Sequence, residues 1–209
     1  MDLKESRLFK RIEMQNHKEQ TKPNSENSVL GTLRDLVCLV AAVLLVFSLL
    51  FRVVVVSGPS MKNTLVDGDW LLLVGNVLYN NPKRGDIIVA SKDSFDDGAP
   101  IIKRVIATEG ETVHIDFKKG IVYVDGVALK EDYIREPTQR PEGVEFPLTV
   151  EKGCVFVMGD NRMESKDSRS PDIGLIDERE ILGRAVFLIL PGNEGGKRER
   201  QFDRFGVLS

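Results

Sequence analysis

Trp70-Leu71-Leu72-Leu73-Val74, Asp86-Ile87-Ile88-Val89-Ala90 and Ile101-Ile102-Lys103-Arg104-Val105-Ile106-Ala107 set the fold class of this chain. Each is a short apolar run, and turn dipeptides such as Asp67-Gly68 and Arg84-Gly85 punctuate them. Runs of roughly four to eight apolar residues between glycine turns read as β-strands. The pattern repeats in Thr112-Val113-His114-Ile115, Ile121-Val122-Tyr123-Val124, Cys154-Val155-Phe156-Val157-Met158 and Ala185 to Leu190, with further turns at Glu109-Gly110, Lys119-Gly120, Asp125-Gly126 and Pro191-Gly192. Val122 to Leu129, centred on Asp125-Gly126, predicts a hairpin. The body, residues 57–192, is therefore expected to be mostly β, a coiled antiparallel barrel or sandwich around one core.

Upstream, the texture changes. Leu36 to Phe51, LVCLVAAVLLVFSLLF, carries no charge; Arg52 interrupts, and Val53 to Val56 continue. As a helix, residues 36–56 would be about 31 Å long at ~1.5 Å per residue, close to the ~30 Å hydrocarbon core of a bilayer. A core helix of a soluble protein should show a polar stripe, and none is visible. A cleaved secretory signal should have a shorter charged segment before it and an A-x-A site after it. The segment reads as one transmembrane signal-anchor helix, with Arg52 reaching the interface from its outer end. Residues 1–35 hold seven Lys or Arg, including Arg34 beside the helix, and read as a polar cytoplasmic tail. The body then lies outside the cell membrane as an extracytoplasmic domain, and residues 193–209 read as a loose, charged C-terminal tail.

Composition narrows the chemistry. Twenty-nine Lys and Arg against 32 Asp and Glu give a formal charge of −3, which argues against a nucleic-acid partner. Two cysteines exclude a four-cysteine zinc site, and Cys38 in the membrane helix has no reason to meet Cys154 in a strand. Two histidines leave little for a metal site or a Ser-His-Asp triad. Neither a metal nor a cofactor is expected.

Ser57-Gly58-Pro59-Ser60-Met61 makes a sharp turn where the chain leaves the bilayer. Taken alone, Ser60 reads first as a turn serine; as a nucleophile it needs a base. His17 lies in the tail and His114 in a strand-like run, where a structural role is the plain reading. Lysine is the alternative, provided desolvation brings its pKa down toward neutrality. Lys103 stands apart from the other lysines because its strand is apolar, although a lysine there also fits a snorkelling sheet-edge side chain. Arg104 points the other way and stays charged. Met158-Gly159-Asp160-Asn161-Arg162-Met163-Glu164-Ser165-Lys166-Asp167-Ser168-Arg169 is a polar loop after an apolar strand, with Asp167 and Arg169 placed to pair. Its spacing does not fit an EF-hand.

These residues together resemble the bacterial type I signal peptidases, from the membrane helix to about Gly192. Four segments match in order: Ser57 to Met61 with Thr64-Leu65 and Gly68-Asp69, Arg84 to Val89, Lys103 to Ala107 with Gly110, and Gly159 to Arg162 with Ser165, Asp167, Ser168 and Arg169. The resemblance implies a Ser-Lys protease with Ser60 as nucleophile and Lys103 as general base. Ser165 would hydrogen-bond the lysine amine, and an Asp167–Arg169 ion pair would hold the last segment together. It also implies exported preproteins as substrates, cut after small residues at −1 and −3. Val54, Val56, Met61, Leu65 and Ile102 are the expected lining of the pockets. Two departures stand out. Asn63 occupies a place where the family often has proline. Gly58 occupies a place where some members supply a serine hydroxyl to the oxyanion, which leaves the backbone N–H of Ser60 as the expected donor. A membrane-anchored β module that only binds partners, and a related Ser-Lys peptidase acting in conjugation-type processing, are the rival readings.

Overall fold

The computed structural model describes residues 25–93, 95–193 and 202–208. A helix, α1 (Ser25–Leu50), is followed by β1 (Phe51–Val55), β2 (Trp70–Gly75), β3 (Ile87–Ala90), β4 (Ile101–Ala107), β5 (Thr112–Asp116), β6 (Ile121–Val124), β7 (Val127–Ala128), β8 (Leu148–Thr149), β9 (Cys154–Met158), β10 (Ile176–Asp177), β11 (Ile181–Leu190) and β12 (Gly206–Val207). The chain divides into two compact units after Phe47.

Within α1, Val29–Leu50 is long and apolar enough to cross a membrane. The helix begins earlier than the expected polar tail allows, since residues 25–35 are helical; residues 1–24 of that tail lie outside the described residues. It also ends earlier than residue 56. Phe51 to Val55 form β1, paired antiparallel with β2 from Phe51↔Val74 to Val55↔Trp70. The reason is local and tertiary together: the β-branched Val53 to Val56 favour an extended chain, and β2 offers it a ladder.

Among the described residues, one sheet runs β1-β2-β11-β3-β4-β9-β10, with β12 added on β11, and a second runs β7-β6-β5-β8. Every pairing is antiparallel. The larger sheet curls, with register shifts in β11 and β4 of the kind that bend strands. Leu71, Leu73, Ile87, Val89, Ala185 and Leu188 share one core with Met61 and Leu65. Ile106, Phe156 and Met158 of the larger sheet pack against Val113, Ile115, Val122 and Val124 of the smaller one. β6 and β7 form the expected hairpin, with Asp125 and Gly126 both at positive φ, which that tight turn requires. Cys38 and Cys154 are both free thiols.

The C-terminal segment departs from the loose tail that its charge suggests. Residues 194–201 and 209 lie outside the described residues, but residues 202–208 are docked on the body. β12 pairs with β11, Phe205 meets Phe187 edge to face at 4.9 Å, and Arg204 holds the buried Asp69 with both terminal nitrogens, at 3.0 and 2.6 Å. Asp69 also accepts the N–H groups of Val66 and Gly192. Arg204→Ala leaves that carboxylate short of its countercharge, and a loss of about 2 kcal/mol is expected in urea or thermal denaturation. An unchanged midpoint would mean that the segment does not brace the body.

Candidate active site

The β1–β2 connection carries Ser60. The ladder continues past β1, with Val56 N–H donating to Asp69 O at 2.8 Å and Gly68 N–H donating to Val56 O at 2.9 Å. The chain between them is forced outward as a loop. Gly58 turns it at φ +89° and donates its N–H to Asp67 Oδ1 at 2.9 Å. Met61 and Leu65, both fully buried, plug the loop into the core. Asn161 fastens the far side, donating its backbone N–H to Ser60 O at 3.0 Å and its side-chain Nδ2 to Pro59 O at 3.1 Å. Among the described residues the backbone N–H of Ser60 meets no hydrogen-bond acceptor.

Lys103 enters from β4. Its side chain is 5% exposed, and Nζ lies 3.0 Å from Ser60 Oγ and 3.1 Å from Ile102 O. Burial pushes the amine down from 10.5 to about 8 against the carboxylates of Asp167, Glu142 and Asp160, which oppose the shift, while the Arg169 guanidinium assists it. A lysine near that value is a base at mildly alkaline pH and remains a proton donor once charged.

The loop after β9 closes the site. Asp167 and Arg169, both fully buried, pair through Nε to Oδ1 at 2.8 Å and Nη2 to Oδ2 at 2.9 Å. Asp167 Oδ2 also accepts Gly159 N–H at 2.9 Å, and Arg169 donates to the carbonyls of Arg140, Arg162 and Ser165. Gly159 is there for space: a Cβ would collide with Ser165 Oγ and Ser60 O. Ser165 thus lies against the Ser60 loop, but the hydrogen bond to the lysine amine implied by the resemblance is not formed. Its buried Oγ has no partner among the described residues, because it faces Gly159 while the amine is directed to Ser60 Oγ and Ile102 O. Val54, Val56, Met61, Leu65 and Ile102 fall in one apolar cluster, with Val54 and Ile102 only partly buried. Among the described residues no group of three His, Cys, Asp or Glu side chains is placed to hold a metal ion.

The model of the family described as signal peptidase, peptidase S26, matches residues 29–190. The chain belongs to that family. It is 35% identical over 184 residues to signal peptidase I of Bacillus licheniformis, covering 84% of this chain and 96% of the relative. It is 36% identical over 184 residues to signal peptidase I T of Bacillus subtilis strain 168, covering 84% and 93%. To the probable signal peptidase I-1 of Synechocystis it is 40% identical over 169 residues, covering 74% and 82%. A crystal structure of a signal peptidase I from Enterococcus faecalis V583 aligns at 34% identity with a TM-score of 0.42, covering 50% of this chain and 96% of that one. As a member of the family the chain is a serine peptidase.

The family's peptidase fold leans here on a group that the sequence reading set aside. Arg104 is 2% exposed and clasps Asp160, with Nε to Oδ1 and Nη2 to Oδ2 both at 2.9 Å. It donates to Gly85 O at 2.8 Å and lies 4.1 Å from the Tyr133 ring centroid. Thr64 of the Ser60 loop donates its hydroxyl to Asp160 Oδ2 at 2.5 Å. An arginine with Ile102 and Ile106 on its own strand face was the available signal, since a buried guanidinium implies a buried partner.

Proposed function

We propose that this chain is a membrane-anchored serine endopeptidase that removes N-terminal signal peptides from exported preproteins, with Ser60 as nucleophile and Lys103 as general base. The observation that carries the reading is the 3.0 Å separation of Nζ and Oγ, with the amine buried among apolar strands. A module that merely binds partners gains nothing from burying an amine beside an alcohol, at the desolvation cost that this incurs.

The chemistry follows. Neutral Lys103 takes the Ser60 hydroxyl proton as Oγ attacks the scissile carbonyl. The free Ser60 N–H is the donor for the oxyanion, since Gly58 offers no hydroxyl. The resulting ammonium returns the proton to the leaving amine, which leaves an acyl ester on Ser60. Lys103, neutral again, deprotonates the water that hydrolyses it. The partly buried Val54 and Ile102 would offer shallow apolar walls that take only small side chains at −1 and −3.

The setting fits a substrate that arrives by its own apolar helix. The lysines and arginines before α1 favour a cytoplasmic N-terminus, with the body on the outer side of the cell membrane. Val53, Val55 and Trp70, exposed at 52%, 51% and 45%, line one outward face of β1 and β2, and such a face suits the bilayer surface.

The test is cleavage of a preprotein peptide bearing Ala-x-Ala. Cleavage after the second alanine, abolished in Ser60→Ala, is expected. The rate should climb with pH and level off above about 8, the value to which burial brings Lys103. A rate flat between about pH 6 and 10, or turnover surviving in Ser60→Ala, overturns the reading.

A further inference from the structure

Residues 140–144 form a strap across the loop that follows β9. Arg169 Nη1 donates to Arg140 O at 3.0 Å, Val144 N–H donates to Arg169 O at 2.9 Å, and Arg140 Nη1 donates to Met163 O at 2.9 Å. Between these ties stands Glu142, whose side chain is 7% exposed. Its Oε1 lies 3.8 Å from Arg169 Nη2 and 3.9 Å from Arg140 Nε. Its Oε2 is buried and has no hydrogen-bond partner among the described residues. Glu142 and Ser165 line the same polar cleft of about 410 Å³, with Arg140, Glu164 and Lys166 among its walls.

The positive charge of Arg169 is already matched by Asp167 in a fully buried pair. Glu142 is a second carboxylate on the same guanidinium, so the buried trio carries one unbalanced negative charge. Arg140 is more than half exposed and counts for less, because water screens it. Lys166 is occupied by Asp172, and Glu164 by the side-chain amide of Asn161. The trio reaches the dyad through short links: Asp167 holds Gly159 N–H, and Gly159 lies against Ser60 O.

We propose that Glu142 is a positioning residue for the reaction, an unbalanced buried charge behind Ser165 that holds the proton on the Lys103 amine and so sets the pH at which the dyad becomes active. This rests on Lys103 being the base. Burial and the Asp167 charge push the Glu142 carboxyl up, while Arg169 and Arg140 pull it down. Around Lys103 the carboxylates of Asp167, Glu142 and Asp160 favour the ammonium, and Arg169 opposes it.

The experiment is the pH dependence of kcat/KM for the full chain in detergent, with the Ala-x-Ala peptide as substrate. Glu142→Gln removes the charge and keeps the shape, so the rising limb should move to lower pH by about half a unit. Glu142→Asp keeps the charge and should keep the wild-type midpoint. A Gln variant with an unmoved midpoint overturns the proposal, and so does an Asp variant that shifts with it, since packing would then be the cause. Should Glu142→Gln not fold, Glu142→Ala decides: it also removes the charge, so a rising limb moved to lower pH upholds the proposal and an unmoved limb overturns it. The two readings fail separately. Turnover in Lys103→Ala sinks the dyad, whereas an essential Lys103 with a limb indifferent to Glu142 sinks only this inference.

Discussion

Lys103→Met is expected to lower turnover at least ~10³-fold and, at the same time, to make the protein more stable at neutral pH. Both effects have one cause. The amine sits in a site that brings its pKa from 10.5 down to about 8, so the folded protein holds that proton less tightly than the unfolded chain. The penalty is fully present below about pH 8. It shrinks as pH rises through the window from 8 to 10.5 and is gone above it, so wild-type stability should climb across that window. Methionine fills nearly the same volume without a charge, so it removes the penalty at pH 7. The gain should be on the order of 2 kcal/mol, after discounting the lost hydrogen bonds to Ser60 Oγ and Ile102 O. Denaturation at pH 7 and at pH 10 measures it, and the difference between variant and wild type should narrow at the higher pH. Lys103→Arg should be equally inactive, because a guanidinium keeps its charge where the proposed mechanism calls for a neutral base. Turnover of Lys103→Met within tenfold of wild type at pH 8 would remove Lys103 from the role of base.

The strands were legible where two local signals coincided. β2, β3, β4, β5, β6 and β9 are apolar runs closed by glycine turns, and each appears where the run stands. β1 was not legible, because an apolar strand next to an apolar helix has no boundary that composition can see. Only the pairing of Phe51 to Val55 with β2 divides them. The two-residue strands β8, β10 and β12 carry no pattern of their own and exist because a partner strand is nearby. The C-terminal segment was hidden by the charged residues Lys197 to Arg200 before it, although Phe202, Phe205 and Val207 were there to be read.

For the site, the signals were of unequal kind. The apolar Ile101 and Val105 on the strand face of Lys103 were visible in the chain, so burial was one of two readings open there, beside a snorkelling lysine. The meeting of Lys103 with Ser60, 43 positions away, could not be anticipated from the chain, and came from the resemblance alone. Ser165 shows the limit of such transfer: the chain brings the residue to the site, while its hydroxyl faces Gly159 rather than the amine. Glu142 carried no signal. It lies in a stretch without strand periodicity, and its importance arises from a strap whose hydrogen bonds join residues more than twenty positions apart.

The second large effect is expected at the pair that joins the two halves of the site. Asp160→Ala should cost about 3–5 kcal/mol, because it removes the buried carboxylate that pairs with the Arg104 guanidinium at 2% exposure. Arg104→Met should cost a similar amount by stranding the carboxylate. The double variant Arg104→Met/Asp160→Leu should recover part of the loss, since two apolar side chains need no partners; that coupling is what a double-mutant cycle reads. Stability is only half of the expectation. Asp160 receives the Thr64 hydroxyl from the Ser60 loop, and its neighbour Asn161 donates to both Ser60 O and Pro59 O. Loss of the carboxylate frees the loop at the point that sets the distance between Oγ and Nζ. Measured well below the unfolding midpoint, kcat should therefore fall in Asp160→Ala by at least tenfold, and the double variant should regain stability without regaining kcat, because Thr64 still lacks its acceptor. An Asp160→Ala protein within about 1 kcal/mol of wild type would show that the pair is not what fastens β4 to the loop. A double variant with full kcat would show that the Thr64 contact does not position Ser60.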